Sequence, residues 1–226
     1  MSYARTLTRV ETYFAPPPPR QWERLTSEAP VSRIRETVRR GRDEMRERML
    51  GRLPDDLCGA RVLDAGCGAG QMSRALAERG AEVVAVDISP ALVEIAARRL
   101  PEALRAQVDF RAGDMLDAGL GRFDHVMAMD SLLYYRRRDV AHALAGLGSR
   151  TRDSVVFTVA PRTPLLMAMW SAGKLFPRGD RSPRMVPHHP AALAAALRAQ
   201  RAPGRLSDLG RVRSGFYISQ AMEYAP

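Results

Sequence analysis

The sequence predicts an α/β domain: a mostly parallel sheet of seven strands with an antiparallel edge strand, preceded by N-terminal helical arms. Three observations predict it. After Pro54, short apolar runs alternate with helical segments over about a hundred residues. A glycine-rich turn follows the first of these runs, and the last two runs are close enough to pair antiparallel. The chain of 226 residues has room for one domain of ordinary size.

The first 57 residues are predicted to form the arms, and residues 58–226 the domain itself. An apolar stripe at intervals typical of one helix face predicts a long amphipathic helix before Pro54. The stripe consists of Val31, Ile34, Val38, Met45, Met49 and Leu53. The opposite face carries charged side chains, Arg39 and Arg40 among them, and a charged face of this kind is expected to be solvated.

The remaining elements follow in order along the chain. Strands are predicted at Arg61–Ala65, Glu82–Val86, Gln107–Ala112, His125–Met129, Ser154–Val159, Arg205–Val212 and Gly215–Tyr224. Helices are predicted at Gln71–Arg79, Pro90–Leu100, Asp139–Leu147 and Ala191–Gln200. Because helices alternate with strands, both faces of the sheet are expected to be covered.

Composition excludes several classes of protein. Hydrophobic residues make up 46% and charged residues 27%, which is globular and argues against a disordered chain. No apolar run approaches the roughly 18–20 residues of a membrane span, and no signal peptide is visible, so a soluble intracellular protein is expected. Two cysteines, Cys58 and Cys67, cannot form a disulfide framework or a metal cage, and no metal site is predicted.

The net charge of +10 is unevenly distributed. Residues 61–150 are balanced, whereas residues 151–226 contain 11 basic and 4 acidic side chains. A basic C-terminal third is suited to attract an anion at one end of the domain. Nucleic acid, a membrane surface and an acidic small molecule all satisfy this charge.

The segment Val62-Leu63-Asp64-Ala65-Gly66-Cys67-Gly68-Ala69-Gly70 spans the end of the first strand and the turn after it. Glycines there let the backbone approach a ligand, and Asp87 at the end of the second strand can accept both hydroxyls of a ribose. A dinucleotide pyrophosphate would be repelled by Asp64, and Gln71 replaces the third glycine of its fingerprint. S-adenosylmethionine, which carries a sulfonium and an ammonium group, would be attracted by Asp64.

This pattern resembles class I S-adenosylmethionine-dependent methyltransferases, which have a Rossmann-like fold. The resemblance implies that Gly113-Asp114-Met115 contacts the adenine and that the segment ending in Met129-Asp130 lies at the mouth of the site. For Met115 and Met129, plain core packing is the alternative interpretation. The predicted cofactor-binding residues are Asp64, Ala65, Gly66, Cys67, Gly68, Gly70, Asp87, Ile88, Asp114, Met115, Met129 and Asp130.

From about Val10 to Tyr224 the chain also resembles the magnesium-protoporphyrin IX O-methyltransferases of bacteriochlorophyll and chlorophyll synthesis. The more specific segments are residues 31–38 with Gly41-Arg42, 128–135, 157–163, 174–177 with 181–183, and 215–219. The resemblance implies methyl transfer to a propionate of the porphyrin and a magnesium chelatase subunit as a partner. Residues 161–190 are predicted to be a substrate-binding insertion. Residues 1–50 are predicted to form a mobile lid over the substrate, because their apolar stripe needs a surface and a bulky flat substrate needs an entrance.

Several residues are predicted to contact this substrate. Arg162 and Arg181 could grip propionates, Trp170 could cover the apolar plate, and a solvated loop after a buried helix is the alternative. Thr26 is predicted as a lid contact. His188 could reach a propionate or the magnesium, although its position between two prolines also suits a surface loop.

Tyr134 is the predicted catalytic residue. A carboxylate with an ordinary pKa near 4.3 is ionised before it binds, so no strong base is required and a hydroxyl would only orient it. Many related chlorophyll-synthesising enzymes carry a histidine at this position, so the tyrosine departs from that pattern. Aromatic packing against cofactor or core is the alternative role.

Three rival functions remain open from the sequence. The first is a methyltransferase for another anionic small molecule, such as a quinone precursor. The second is a basic RNA-binding protein with a methyltransferase fold, which is disfavoured because the basic third lacks interleaved aromatics for base stacking. The third is a non-catalytic cofactor-binding regulator. A cytoplasmic location, or a peripheral one on the photosynthetic membrane, is expected, with no nucleic-acid partner.

Overall fold

The computed structural model describes residues 3–14, 33–162 and 185–226. Their helices are α1 (Tyr3–Phe14), α2 (Arg33–Leu50), α3 (Gln71–Glu78), α4 (Pro90–Arg99), α5 (Arg137–Gly148) and α6 (Pro190–Ala199). Their strands are β1 (Arg61–Ala65), β2 (Glu82–Asp87), β3 (Val108–Ala112), β4 (Phe123–Ala128), β5 (Thr151–Pro161), β6 (Pro187–His188), β7 (Arg205–Ser214) and β8 (Tyr217–Ala225). Short 3₁₀ helices cover Glu102–Gln107 and Ala118–Leu120.

The strands form a twisted sheet in the order β3-β2-β1-β4-β5-β8-β7. The pairs among β1 to β5 are parallel, whereas β8 runs antiparallel to both β5 and β7. The connections reverse direction between β1 and β4, and such a switch point opens a crevice at the carboxyl ends of the strands. The glycine-rich turn after β1 lies at this crevice.

The predicted α/β fold is confirmed, and its seven strands are the seven of this path. The antiparallel pairing at the edge is confirmed too, with β8 lying inside and β7 outermost. One strand was not predicted: β6 has only two residues and pairs with the end of β5. Such a short strand has no periodicity in the sequence, and pairing with a neighbour far along the chain creates it.

Both faces of the sheet are buried, which explains why its central strands contain consecutive apolar residues, such as Val83 to Val86 of β2. Neighbours in one strand pack to opposite sides: Val62 contacts one cluster and Leu63 the other. On the Leu63 side the sheet is covered by α5 and α6, through side chains such as Leu144 and Leu193. On the Val62 side it is covered by α2 and α3.

Helix α2 is built into the core rather than laid over it. Met45 and Met49 are fully buried against the sheet, in the same cluster as Val62. The side chain of Arg48 donates to the backbone carbonyl of Leu209 on β7, at 3.3 Å. A lid that included this half of α2 would have to expose both methionines, at a cost of roughly 1.5–3 kcal/mol for each.

We therefore expect residues 45–50 to remain fixed when ligands bind, which revises the sequence-based prediction that the whole arm moves as a lid. Hydrogen exchange of the amides of residues 45–50 should be slow and equal with and without S-adenosylhomocysteine, because their helix packs on the core. Faster exchange of these amides in the ligand-free protein would show that this half of α2 moves as part of the lid.

Candidate active site

The turn between β1 and α3 forms the base of the crevice. Gly66, Gly68 and Gly70 have φ of 90°, 53° and 84°, a left-handed region that favours glycine. The N–H groups of Gly66 and Cys67 both donate to the carbonyl of Val86, at 2.8 and 3.0 Å, and tie the turn to β2. A Cβ on Gly66 would clash with Ser131, whereas one on Gly68 would have no described atom within 4 Å. The turn is therefore packed against the protein at Gly66, whereas space for a ligand remains next to Gly68.

Asp64 lies beneath this turn and is 1% exposed. The hydroxyl of Ser73 donates to its Oδ2 at 2.5 Å. Burial, together with the negative charge of Asp87, raises the pKa of Asp64 to about 7. A buried carboxylate of this kind is stabilised by a cation, so the site suits a ligand with a positive group.

Asp87 ends β2 on the other side of the turn. Its Oδ2 accepts from the Gly68 N–H and its Oδ1 from the Ser89 N–H, both at 2.9 Å. Burial raises the pKa of this carboxyl group as well. A carboxylate has about four acceptor positions, so two remain for hydroxyl groups of a ligand. Ile88, next to it, is half-buried and packs against Leu92 and its neighbours.

Asp114 follows β3 and lies under the N-terminal helix. Its Oδ1 accepts from the Tyr3 hydroxyl at 2.7 Å and from the Leu116 N–H at 2.9 Å. The next residue, Met115, is 8% exposed and belongs to the main core cluster. The packing alternative therefore describes Met115, and its role in binding stays a prediction.

Asp130 follows β4 in a left-handed conformation, with φ of 56°. Its carboxylate accepts from the hydroxyls of Thr158 and Tyr217, each at 3.2 Å, and pairs with the guanidinium of Arg42 at 3.4 Å. Burial and the charge of Asp130 raise the pKa of Tyr217, so its hydroxyl stays a donor. This carboxylate joins three elements of the protein, a role that the sequence did not indicate.

Three arginines of α2 line the same cleft as the glycine turn, a position that was not predicted from the sequence. They are Arg39, Arg42 and Arg46, one helix face at intervals of three and four residues. Arg39 is half-buried, so the prediction of a solvated face is wrong at this position because α2 folds back over the turn. The other residues that line the cleft are Asp43, Asp64, Gly66, Cys67, Gly68, Gln71, Met72 and Met129.

Acidic and basic side chains therefore line the same cleft. Asp64 lies at its base, and the arginines of α2 form the facing wall. Arg46 is paired with Asp43 at 2.7 Å, but a guanidinium carries five N–H donors, so one partner leaves several for a ligand. Cys67, also in this lining, has a pKa raised well above its usual range by burial, and its thiol stays neutral.

Tyr134 is half-buried and packs against the small cluster of Val10, Ala69, Leu92 and Ile95. Ala69 belongs to the glycine turn, so Tyr134 lies beside this turn. Its predicted catalytic role stays a prediction, since the packing also satisfies the aromatic alternative.

Of the five predicted substrate contacts, the structure describes two, Arg162 and His188. Arg162 follows β5 and its side chain is exposed, whereas Thr26, Trp170 and Arg181 lie outside the described residues. His188 is 3% exposed on β6, and its Nε2–H donates to the carbonyl of Tyr135 at 3.0 Å. Burial lowers the pKa of His188, so its ring is neutral and links two segments of the protein. The surface-loop interpretation of His188 is wrong, and its contact with the substrate stays a prediction.

Comparisons with known proteins agree with this site. Residues 62–153 match the methyltransferase domain family, and residues 128–226 match the family described as magnesium-protoporphyrin IX methyltransferase C-terminus. The chain is 55% identical to magnesium-protoporphyrin O-methyltransferase of Rhodobacter capsulatus over 226 residues, 99% of this chain and 98% of the other. It is 30% identical to the chloroplastic magnesium protoporphyrin IX methyltransferase of Arabidopsis thaliana, over 96% of this chain and 70% of that one.

The fold has a solved counterpart as well. The crystal structure of magnesium protoporphyrin IX methyltransferase from Synechocystis PCC 6803 with bound SAH superimposes with a TM-score of 0.80 at 28% identity. The match covers 96% of this chain and 98% of that one. The family resemblance predicted from the sequence is confirmed, and the chain belongs to the magnesium-protoporphyrin IX methyltransferases, S-adenosylmethionine-dependent enzymes with a class I methyltransferase fold.

Proposed function

We propose that this protein transfers a methyl group from S-adenosylmethionine to a propionate carboxylate of magnesium-protoporphyrin IX and so forms the monomethyl ester in bacteriochlorophyll biosynthesis. The observation that carries the proposal is the cleft at the β1–β4 switch point, where the buried Asp64 faces the arginines of α2. The amino-acid part of S-adenosylmethionine has an ammonium group, which can pair with Asp64, and a carboxylate, which can pair with the arginines of α2.

The residues of the cleft fit the cofactor. Asp64 would hold the ammonium group, Asp87 the ribose hydroxyls, and the open turn at Gly68 leaves room for the chain between them. The predicted binding set contains no cation for the carboxylate of the cofactor, and Arg39 and Arg46 supply it. When bound, S-adenosylmethionine supplies an electrophilic methyl group and a thioether leaving group.

The protein has little chemistry to add beyond orientation. The propionate is already ionised at neutral pH, so its oxygen needs to be desolvated and aimed rather than deprotonated. Tyr134, which packs beside the turn, would orient this oxygen. Thr26, Arg162, Trp170 and Arg181 remain the proposed contacts of the porphyrin plate and its second propionate.

Incubation of the protein with methyl-labelled S-adenosylmethionine tests the proposal against the quinone-precursor rival. We expect label in magnesium-protoporphyrin, much less in metal-free protoporphyrin and none in a phenolic quinone precursor. Mild alkaline hydrolysis should release the label as methanol, since a carboxylate ester is cleaved and an aryl ether is not. Label found only in the phenol would overturn the proposal.

The Tyr134→Phe variant should lower turnover by no more than about tenfold, equivalent to roughly 1.4 kcal/mol, because it removes one orienting hydrogen bond. At saturating S-adenosylmethionine, the single-turnover rate of both proteins should be flat with pH above about 6, since the nucleophile is already deprotonated there. Tyr134→Leu, which also removes the ring that packs on Ala69 and Leu92, should lose more. A loss beyond about a hundredfold in Tyr134→Phe, with both ligands bound normally, would assign Tyr134 an acid–base role.

We also infer that the protein associates peripherally with an anionic membrane surface. Among the described residues, no helix is long and apolar enough to cross a membrane. Two large apolar side chains are exposed there, Met185 by 48% and Phe216 by 69%, and Arg213, three residues before the second in the sequence, is exposed too. Co-sedimentation with vesicles of anionic phospholipid should fall with salt and with Phe216→Ser, but not with Glu102→Ser. Failure to sediment at low salt would exclude this association.

The magnesium chelatase subunit stays a predicted partner of this protein.

A further inference from the structure

Asp130 has a strained backbone conformation at the switch point of the sheet. Its φ of 56° lies in the left-handed region, which residues other than glycine adopt at some cost in free energy. Thr158 of β5 holds it there, because the Asp130 N–H donates to the threonine hydroxyl oxygen at 2.8 Å and that hydroxyl donates to Oδ1 at 3.2 Å. Met129, directly before Asp130, lines the cleft. The strained residue therefore lies at the margin of the candidate site.

Tyr217 of β8 binds the same carboxylate. Its hydroxyl lies 3.2 Å from Oδ1 and 3.3 Å from Oδ2 of Asp130, and the residue is 8% exposed. The tyrosine ring also packs on α2 at Gly41, where a Cβ would come within 2.7 Å of Cδ1 of the ring. A larger residue at this position would push α2 away from β8. Gly41 therefore lets the backbone next to Arg42 approach the tyrosine closely.

Arg42 is the cleft residue that pairs with this carboxylate. Its Nε lies 3.4 Å from Oδ2 of Asp130, and its side chain is 24% exposed. It lines the same cleft as Gly68 and Met129. The ion pair engages Nε, and the two terminal nitrogens of a guanidinium carry four more N–H donors. With that many donors, Arg42 can bind a planar carboxylate while it stays paired with Asp130.

The charge of this pair suits a carboxylate that has to approach a cation. In the proposed reaction the ammonium group of S-adenosylmethionine pairs with Asp64, and its carboxylate pairs with Arg39 and Arg46. The methyl acceptor is a second anion in the cleft and must come up to the sulfonium. A lone guanidinium would repel the sulfonium and would also lower the nucleophilicity of the attacking oxygen. Because Asp130 offsets this charge, Arg42 can orient the acceptor without a net positive charge on the pair.

We propose that Arg42 binds the carboxylate that accepts the methyl group, and that Asp130 and Tyr217 are positioning residues that hold its guanidinium in the cleft. The inference rests on the proposed function, since it takes a porphyrin propionate as the acceptor. It gives Asp130 a role toward the acceptor, in place of the cofactor contact predicted from the sequence.

The binding of two porphyrins tests the role of Arg42 without turnover. Magnesium-protoporphyrin carries two carboxylates and its dimethyl ester carries none, and absorbance titration in the presence of S-adenosylhomocysteine gives a dissociation constant for each. We expect Arg42→Met to weaken binding of the free acid by about tenfold to 100-fold, because it removes a charge-assisted pair, and to leave binding of the diester unchanged. The affinity for S-adenosylhomocysteine should stay at its wild-type value. Arg40→Met, at an exposed position of the same helix, is the matched control and should change none of these constants.

A double-mutant cycle tests the positioning role of Tyr217. Tyr217→Phe should lower kcat/KM for magnesium-protoporphyrin by about fivefold to tenfold, because it removes a hydrogen bond to Asp130. The same change in the Arg42→Met protein should have no further effect, since the tyrosine acts through the arginine. Independent structural losses would instead add. Tyr224→Phe, on the same strand, removes a hydroxyl that donates to the Pro203 carbonyl, and this control should leave kcat/KM unchanged.

The proposed function and the role of Arg42 fail in different ways. If the wild-type protein does not methylate magnesium-protoporphyrin, the proposed function is wrong. If it does, but Arg42→Met binds the free acid and the diester in the wild-type ratio, the function stands and the role of Arg42 is overturned. Weaker binding of S-adenosylhomocysteine with unaltered porphyrin binding would make Arg42 a cofactor ligand and would overturn the inference too. Additive effects in the cycle would remove Tyr217 as a positioning residue.

Discussion

Replacing Asp87 with alanine should weaken S-adenosylmethionine binding by about tenfold to about 150-fold, or roughly 1.5–3 kcal/mol. Two effects add in this variant. The ribose hydroxyls lose a charged acceptor, and the Gly68 N–H loses the carboxylate oxygen that holds the turn at 2.9 Å. Titration calorimetry on the folded variant measures the change directly.

Two further variants separate the loss of the Asp87 charge from the loss of its hydrogen-bond acceptors, and control for the loss of a carboxylate elsewhere. Asp87→Asn keeps one oxygen acceptor and should fall between wild type and alanine. Asp109→Ala removes a carboxylate from the exposed side of β3, where it pairs with Arg111, and should leave affinity unchanged. Affinity that is unaltered in Asp87→Ala would mean that β2 does not contact the ribose.

The affinity for S-adenosylmethionine should also fall steeply as the pH drops below about 7. Burial raises the pKa of Asp64 to about 7 in the cofactor-free protein, so at pH 5 this carboxyl group is mostly protonated and neutral. To pair with an ammonium group it must release that proton, which costs up to tenfold in affinity for each pH unit. Between pH 7 and pH 5 the dissociation constant should rise by roughly 50-fold to 100-fold. In Asp64→Asn it should be weak and nearly independent of pH, and a flat wild-type profile would contradict the assignment.

The raised pKa of Asp64 has the opposite effect on stability: the cofactor-free protein should become less stable as the pH rises. An unfolded aspartate titrates near 3.8, whereas folded Asp64 holds its proton until about pH 7. Between these values the folded state binds more protons, so the free energy of unfolding falls as the pH rises, by roughly 4 kcal/mol in all. The difference between wild type and Asp64→Asn, measured by urea unfolding from pH 4 to pH 7.5, isolates this contribution. A difference that does not change with pH would show that Asp64 is ionised throughout.

The elements of the sheet could be predicted because their signals are local. Arg61–Ala65 is an apolar run bounded by turn residues, and the structure begins and ends β1 at the same positions. The acids at strand ends, Asp64 and Asp87, fall at the switch point because parallel strands bring their carboxyl ends to one edge. Connectivity alone thus places the glycine turn and these two carboxylates together.

The sequence by itself therefore determined the family, the strands of the sheet and the acidic half of the candidate site. Only the tertiary structure decided the other half, because its contacts join residues far apart in the chain. Tyr3 and Asp114 are 111 residues apart, and Tyr217 and Asp130 are 87 apart. In the sequence, Arg39 cannot be told from a solvated arginine on a charged helix face. It lines the cleft only because α2 folds back over the glycine turn. Burial, partner and charge environment are set by such long-range packing, and periodicity within one element does not carry that information.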